Sequence, residues 1–306
     1  MKIIIVGAGA MGGLFGGLLK KGGNDVVLVD VWKEHIDAIN RDGLSIERDG
    51  ERTTVSIPAF FPEKVTGTAD LVVVFTKSFN TGAAVSAIRG IIAGNTWALS
   101  LQNGIGHVDT IEQFIPRDRI VHGVTTYPSD LAGPGHIRSE GEGTVKIMSV
   151  SGESGPMVQT IEETFNRAGI RCEADPNVVT AIWEKLAFNS VMNALTAVMG
   201  LTVGQVGDAR EGRELAEMII DEVIGVAHRK KIFIDKIRIM SMVSMAFEKH
   251  REHRPSMLQD ILAKRKTEID SINGAVVREA DKLDMQLPVN ATVYRMVKTI
   301  ESANSV

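Results

Sequence analysis

The chain has 306 residues, enough for two domains, and its 44% apolar and 24% charged residues are typical of an ordinary globular protein. A formal net charge of −4 excludes the basic excess expected for binding nucleic acid or an anionic membrane. The single cysteine, Cys172, excludes an internal disulfide and a Cys-rich metal cage, and no apolar stretch is long enough to span a bilayer. We therefore expect a cytoplasmic protein without a metal site, because the seven histidines form no cluster with ligand spacing.

The first two dozen residues predict a strand, a glycine-rich turn and a helix. Lys2–Val6 is a short β-branched run of the kind that a buried parallel strand shows. After the turn, Leu14 and Leu18 recur at helical spacing, and a second strand at residues 25–29 ends on Asp30. The turn matches the pattern G-x-G-x-x-G over Gly7, Ala8, Gly9, Ala10, Met11 and Gly12.

The three glycines of this pattern each suit a dinucleotide site. Gly7 permits a tight turn, Gly9 lets a pyrophosphate approach the backbone, and Gly12 lets the helix and the strand pack closely. The free N–H groups and the positive end of the following helix then face the phosphates. A structural glycine turn and a secretory signal are the alternatives. The strand–turn–helix context and the missing cleavage pattern favour a dinucleotide site formed by all six residues.

Asp30 bears on the choice between the two nicotinamide dinucleotides. A carboxylate at the end of the second strand can accept both ribose hydroxyls of NAD, and it repels the additional phosphate of NADP. Val31 and Trp32 stand where an arginine would be expected to hold that phosphate, although Lys33 lies close by. The candidate cofactors are therefore NADP and NAD, and Asp30 and Val31 favour NAD.

Strands and helices alternate from here to residue 175. Further strands are predicted at residues 43–47, 52–57, 70–75, 97–101, 119–126, 144–150 and 170–173. Helices are predicted at residues 33–40, after Lys77 to about residue 92, and at residues 109–114 and 155–167. This alternation implies βαβ units and a parallel sheet, with a hairpin at residues 43–57 and antiparallel pairing of residues 144–150 at the sheet edge.

Beyond residue 175 the pattern is almost entirely helical. Helices are predicted at residues 178–199, 210–230, 235–252, 257–265, 268–283 and 289–303. The predicted fold class is therefore α/β. It consists of an N-terminal Rossmann-type dinucleotide-binding domain over residues 1–175 and an all-helical substrate and catalytic domain over residues 176–306.

Several polar residues stand where chemistry is possible. Lys77 and Asn103 follow predicted strands, and ligands of open α/β sheets lie outside the carboxyl ends of the strands. A solvated lysine at a helix start and an asparagine favoured by a tight turn are the alternatives. Lys185, Asn189 and Asn193 stand at i, i+4 and i+8, and so form a polar row on an otherwise apolar helix.

This polar row is expected to face either a satisfied internal network or a ligand, because buried polar groups need partners. A lysine in a half-dry site can have a lowered pKa, which suits it to proton transfer. The alternative is a solvated helical face. Further on, Ser256 is a plausible N-cap, and Glu268 could be only a first-turn acid of a helix.

Five motifs occur in order along the chain. They are the glycine pattern, Gln-Asn-Gly at 102–104, Trp-Glu-Lys-Leu-Ala-Phe-Asn at 183–189, Ser-Met-Leu-Gln-Asp at 256–260 and Thr-Glu-Ile-Asp-Ser-Ile-Asn-Gly at 267–274. With these motifs the chain resembles the ketopantoate reductase (2-dehydropantoate 2-reductase) family over essentially its whole length. The resemblance implies an NADPH- or NADH-dependent reduction of 2-dehydropantoate to (R)-pantoate, a step toward pantothenate and coenzyme A.

The resemblance also implies roles for particular residues. Lys185 would protonate the ketone oxygen as hydride arrives at its carbon, and Glu268 would orient Lys185 and contact the cofactor or the substrate hydroxyl. Lys77 would lie on the cofactor side. The substrate would be positioned by Asn103, which would also lie near the nicotinamide, and by Asn189, Asn193 and Ser256.

Two residues depart from the family pattern. Val31 stands where members that use NADP often carry arginine, and Val203 stands where some members place an asparagine on the substrate. Both departures favour the alternative of an NAD-dependent D-2-hydroxyacid dehydrogenase acting on branched 2-keto acids. A cofactor-binding regulator without catalysis is a further alternative, which the presence of both Lys185 and Glu268 opposes. A homodimer is an expectation taken from the family.

Overall fold

A computed structural model describes residues 1–304, and its contacts divide the chain into two compact units. Unit 1 consists of Met1–Gln102 and His107–Val178, and unit 2 consists of Asn103–Gly106 and the chain from Val179 onward. The contacts assign residues 103–106 to unit 2, whereas the sequence prediction placed them in the first domain. The segment packs against unit 2, because the Ile105 N–H donates to the Ser271 carbonyl at 3.0 Å.

Unit 1 contains both strands and helices. Its elements are β1 (Lys2–Val6), α1 (Ala10–Lys21), β2 (Asp25–Val29), α2 (Lys33–Asp42), β3 (Leu44–Arg48), β4 (Glu51–Val55), β5 (Ala59–Phe60), β6 (Leu71–Val74), α3 (Thr81–Ala87), β7 (Trp97–Ser100), α4 (His107–Ile111), β8 (Ile120–Thr125), β9 (Asp130–Gly133), β10 (His136–Ser139), β11 (Val145–Ser149), α5 (Pro156–Arg167) and β12 (Cys172–Ala174). The region after Lys77, predicted as one helix to residue 92, is the short α3 between two 3₁₀ turns.

The main sheet of unit 1 has eight strands in the order β12-β11-β8-β7-β6-β1-β2-β5. Neighbouring strands are parallel except β8 and β11, which pair antiparallel as predicted. Ile3, Ile4 and Ile5 are fully buried, since parallel strands are covered on both faces. The predicted α/β class with a parallel sheet is therefore confirmed.

A second sheet of four strands, in the order β4-β3-β10-β9, lies within the same unit. Its β3–β4 hairpin was predicted, and the turn uses Asp49 and Gly50, both with positive φ, as a two-residue hairpin turn requires. The parallel pairing of β10 with β3 was not predicted. These strands are far apart in sequence, and hydrophobic periodicity predicts where a strand lies but not which distant strand it pairs with.

Unit 2 is helical. It contains α6 (Val178–Met199), α7 (Val203–Asp208), α8 (Arg210–Arg229), α9 (Lys236–Lys249), α10 (Ser256–Leu262), α11 (Asn273–Asp281) and α12 (Pro288–Asn304). Its core is formed by the apolar faces of these helices, with Leu186, Ile220 and Val276 among the buried side chains. Among residues 1–304, no helix is long and apolar enough to cross a membrane.

Two details of unit 2 differ from the prediction. The helix predicted at residues 268–283 begins only at Asn273, and residues 268–272 form a turn. The six-residue α7 was missed because it is too short for a periodic pattern. It begins with a capping box, in which Thr202 and Gln205 satisfy each other's backbone N–H groups.

Cys172 lies on β12 and is buried, and burial raises the pKa of its thiol to about 12. The thiolate is the reactive form, so we expect the native protein to resist Ellman's reagent at pH 8. The same chain should release one thiol equivalent per molecule in denaturant. Rapid labelling of the folded protein would contradict the inert role predicted from the sequence.

Candidate active site

Three polar segments of unit 1 lie at the carboxyl ends of adjacent strands. The glycine loop, residues 7–12, follows β1, Asp30 follows β2, and Lys77 comes shortly after β6. Since β6, β1 and β2 are neighbours in the parallel sheet, their carboxyl ends form one edge. Lys77 is half-buried there, just before a 3₁₀ turn. This edge is where open α/β sheets bind ligands.

The glycine loop has the geometry that a pyrophosphate needs. Gly7 has φ of +91°, and a Cβ there would lie 2.6 Å from the Thr76 amide nitrogen. A Cβ on Gly12 would lie 1.8 Å from the Gly7 carbonyl oxygen, so only glycine allows α1 to pack this closely. A Cβ on Gly9 would meet nothing within 4 Å, which leaves open space against the backbone.

The N-terminus of α1 adds positive potential at the glycine loop. The helix begins at Ala10, its N-cap Gly9 makes no side-chain cap, and its first turn carries no acidic residue. Met11 follows in the first turn and is only half-buried. The first N–H groups of a helix and its dipole attract anions, so this terminus suits the phosphates of a dinucleotide.

The structure corrects how Asp30 was expected to use its carboxylate. Oδ2 accepts from the Ala8 N–H at 2.7 Å, and Oδ1 accepts from the N–H groups of Val31 and Trp32 at 2.7 and 3.0 Å. An ionised carboxylate has about four acceptor positions, so roughly one remains for a ribose hydroxyl. Accepting both hydroxyls, as predicted, would require a rearrangement. Asp30 therefore also holds the glycine loop in place.

His35 was missed by the sequence analysis, in which no motif included it. It lies on α2, is fully buried, and its Nδ1 accepts from the Gly135 N–H at 2.9 Å. Nε2 therefore carries the proton and donates to the Ala8 carbonyl at 2.9 Å. Burial lowers the pKa of His35 and favours this neutral form. The backbone of Ala8 is thus held at its N–H by Asp30 and at its carbonyl by His35.

The predicted catalytic lysine lies in unit 2. Lys185 is on α6, flanked by the buried Glu184 and Leu186. Burial lowers the pKa of its ammonium from 10.5 to about 8, and the Glu268 carboxylate opposes this by raising it. Lys185 can therefore hold a proton near neutral pH and release it readily.

Asn189 and Asn193 follow Lys185 on the same side of α6, and both are buried, with 8% and 5% exposure. They are polar groups in a helix whose other neighbours, such as Val191 and Ala194, belong to the apolar core. Burial of amides is unfavourable without hydrogen-bond partners. The solvated-face alternative is therefore wrong, because these two side chains are not exposed.

Glu268 lies in the turn that precedes α11 and is buried. The alternative of a first-turn helix acid is wrong, since α11 begins five residues later at Asn273. Asn103 lies in the segment of unit 2 that packs on this turn. A Cβ on Gly104 would come within 2.1 Å of the Ser271 carbonyl oxygen, and φ is +91° there. Gly104 therefore allows the backbone beside Asn103 to pack closely on the turn that contains Glu268.

Ser256 and Val203 occupy other parts of unit 2. Ser256 is exposed and is the first residue of α10, so it is not the N-cap, which is Pro255. Val203 begins α7, and its side chain is part of the apolar core. Among residues 1–304, no group of three His, Cys, Asp or Glu side chains is placed to hold a metal ion.

A Rossmann-type unit with an open glycine loop, followed by a helical unit with a half-buried lysine and a buried carboxylate, defines a two-domain dinucleotide-dependent oxidoreductase. The family model described as ketopantoate reductase PanE/ApbA matches residues 3–152, and its C-terminal counterpart matches residues 177–301. The chain belongs to the ketopantoate reductase family.

The chain is similar over its whole length to named relatives and to solved structures. The chain is similar to 2-dehydropantoate 2-reductase of Streptococcus pyogenes serotype M18, with 35% identity over 99% of this chain and 98% of the relative. The enzyme of that name from Pyrococcus horikoshii is 36% identical, with the same shares of both chains covered. A structure of D-mandelate dehydrogenase with NADH and anilino(oxo)acetate superposes with a TM-score of 0.96, at 31% identity over 100% of both chains.

Proposed function

We propose that this protein reduces 2-dehydropantoate to (R)-pantoate with a nicotinamide dinucleotide as hydride donor. The observation that carries the proposal is the pair on unit 2 formed by the half-buried Lys185 of α6 and the buried Glu268, whose carboxylate raises the pKa of the Lys185 ammonium against desolvation. The names of the relatives support 2-dehydropantoate as the substrate. This reduction would be a step in the formation of pantothenate, as the family to which the chain belongs implies.

When bound, the reduced dinucleotide supplies hydride to the ketone carbon. As negative charge develops on the ketone oxygen, Lys185 stabilises it and donates a proton to it. Glu268 keeps Lys185 charged against the desolvation that lowers its pKa. Asn189 and Asn193 extend from Lys185 along α6, and their amides orient the keto acid, together with Asn103 and Ser256.

The residues of unit 1 fit a dinucleotide. Residues 7–12 and the start of α1 would hold the pyrophosphate, Asp30 would accept one ribose hydroxyl, and Lys77 would lie on the cofactor side. We propose NAD over NADP, because Asp30 places a carboxylate where NADP has a phosphate, and the next residue, Val31, is apolar and 77% exposed. Lys33 forms an ion pair with Asp37, so it is less available to bind the additional phosphate of NADP.

Initial rates with 2-dehydropantoate and with 2-ketoisocaproate, each under NADH and NADPH, test this proposal. The highest kcat/KM is expected for 2-dehydropantoate with NADH. A preference for 2-ketoisocaproate would reject 2-dehydropantoate as the substrate, and a preference for NADPH would reject the role given to Asp30.

An NAD-dependent D-2-hydroxyacid dehydrogenase is the second candidate. The superposition on a D-mandelate dehydrogenase with NADH favours it. Val203 favours it as well, since an apolar core residue stands where some family members place a substrate-binding asparagine. The same four assays separate the two candidates, with D-mandelate oxidation under NAD as an additional reaction.

The rate of reduction is expected to fall as the pH rises through about 8. Lys185 donates a proton only in its charged form, and the pKa of its ammonium is about 8. Measurement of kcat/KM from pH 6 to 10 should therefore show an alkaline limb, because kcat/KM reports the pKa values of the free enzyme, and Glu268→Gln should move that limb to lower pH. A flat profile would contradict proton donation by Lys185.

The assembly and the location stay predictions. A homodimer would be detected by light scattering on the purified chain, with a mass near twice the 33.1 kDa of one copy. The cytoplasmic location rests on the single cysteine of the chain, which suits a reducing compartment.

A further inference from the structure

We propose that Glu301 is a positioning residue that acts through Thr267 to fix the Glu268 turn, residues 267–272, and thereby holds Glu268 beside Lys185. This inference rests on the proposed roles of Lys185 and Glu268. Both Thr267 and Glu301 are buried within unit 2.

The Glu268 turn does not belong to a regular element. Its own backbone hydrogen bonds are those of a single turn, in which the N–H groups of Ser271 and Ile272 donate to the Glu268 carbonyl at 3.0 and 3.2 Å. A single turn fixes its residues less firmly than a helix or a sheet does, because few bonds oppose its conformational entropy. The position of Glu268 therefore depends on contacts from outside the turn.

Helix α12 supplies the contact on the N-terminal side of Glu268. Oε1 of Glu301 accepts from both the N–H and the hydroxyl of Thr267, each at 2.7 Å. Oε2 accepts from the Lys298 ammonium at 2.8 Å. Hydrogen bonds to an ionised acceptor are about twice as strong as neutral ones, and the two bonds from Thr267 are short and buried.

The same helix holds the C-terminal side of Glu268. Asp270 accepts from the Tyr294 hydroxyl at 2.9 Å and from the Lys298 ammonium at 3.1 Å. Lys298 thus links Asp270 to Glu301, so the residues on both sides of Glu268 are fixed to α12 by one network. Glu301 is the member that contacts the backbone directly before Glu268.

Fixing the turn matters because of what Glu268 does to Lys185. Burial drives the Lys185 ammonium toward its neutral form, and Glu268 is the charged group that counteracts this. The attraction between two charges falls with their separation, so a mobile carboxylate protects the ammonium less than a fixed one. Loosening the turn should therefore lower the pKa of Lys185.

The test measures the pKa of Lys185 in the full-length protein, independently of any substrate. Only the neutral amine reacts with acetic anhydride, so the pH dependence of Lys185 acetylation, quantified by peptide mass spectrometry, gives its apparent pKa. Thr267→Val removes the hydroxyl with little change of shape, and Glu301→Gln removes the charge. Each should lower the Lys185 pKa by up to about one unit. Thr267→Ser, which keeps both donors, should restore the wild-type value.

Glu279→Gln is the matched control. Glu279 lies on α11 and is also a carboxylate between two lysines, but its ion pairs are with Lys230 and Lys282 and not with the Lys298 that binds the Glu268 turn. Its loss should leave the pKa of Lys185 unchanged. If Glu301→Gln unfolds the protein, Thr267→Val still tests the bond from the Thr267 hydroxyl to Glu301, together with the bond that the same oxygen accepts from the Ile269 N–H at 3.2 Å.

The outcomes separate this proposal from the proposed function. Support requires that Glu268→Gln, Thr267→Val and Glu301→Gln all lower the Lys185 pKa, and that neither of the last two lowers it further in a Glu268→Gln background. If Glu268→Gln lowers the pKa while folded Thr267→Val and Glu301→Gln do not, the role of Glu301 is rejected and the proposed function stands. If Glu268→Gln has no effect, the role of Glu268 in the proposed function is rejected, and that of Glu301 with it.

Discussion

Replacing Lys185 with alanine is expected to lower kcat for keto acid reduction by about 10²- to 10⁴-fold, the usual contribution of a positioned general acid. The physical reason is that negative charge still develops on the ketone oxygen in this variant, whereas the proposed proton donor of α6 is missing. Cofactor affinity, measured by the fluorescence of bound NADH, should stay near the wild-type value. The glycine loop and Asp30 belong to unit 1, whereas Lys185 lies on unit 2.

Two further variants sharpen this result. Lys185→Met keeps most of the length of the side chain and removes the amine, so it should be as slow as Lys185→Ala if the proton is what matters. Lys249→Ala removes an exposed lysine of α9 and should leave kcat unchanged. Near-normal turnover in Lys185→Met would exclude Lys185 as the proton donor.

Replacing Asp30 with alanine is expected to weaken NADH binding by about 10- to 100-fold and NADPH binding by less. Hydrogen bonds to charged groups contribute about 1.5–3 kcal/mol, and about 1.4 kcal/mol corresponds to a tenfold change in affinity. Asp30 accepts from the Ala8 N–H, so its loss loosens the glycine loop for both cofactors. Loss of its negative charge favours only NADPH, so discrimination between the two should relax.

The two effects of Asp30 can be measured separately. Asp30→Asn keeps one carbonyl oxygen for the Ala8 N–H but removes the charge, so it should relax discrimination with a smaller loss of NADH affinity. Asp42→Ala removes an exposed carboxylate at the C-terminal end of α2, away from Lys33, and is the control. If the ratio of NADH to NADPH affinity is unchanged in Asp30→Ala, then Asp30 does not select the cofactor.

Much of the fold follows from local patterns. Strand β1, the glycine loop and helix α1 could be predicted because strand periodicity, three glycines and helical periodicity occur next to one another. The bounds of α6 agree with the predicted 178–199, since a long apolar helix with a single polar row has a strong period. The row itself identified Lys185, Asn189 and Asn193 as candidates for the site.

Other features depend on residues that meet only in the folded chain. The Glu268 turn has helical periodicity in the sequence, yet it is not helical. Its Thr267 and Asp270 are hydrogen-bonded to Glu301 and Tyr294 of α12. His35 carries no sequence signal, and its importance appears only where its imidazole meets Ala8 and Gly135, the latter 100 positions away. Local periodicity therefore determined the elements and the polar row on α6. Tertiary contacts decided the Glu268 turn, the lowered pKa of Lys185 and the partners of Asp30, because burial and long-range hydrogen bonds exist only after folding.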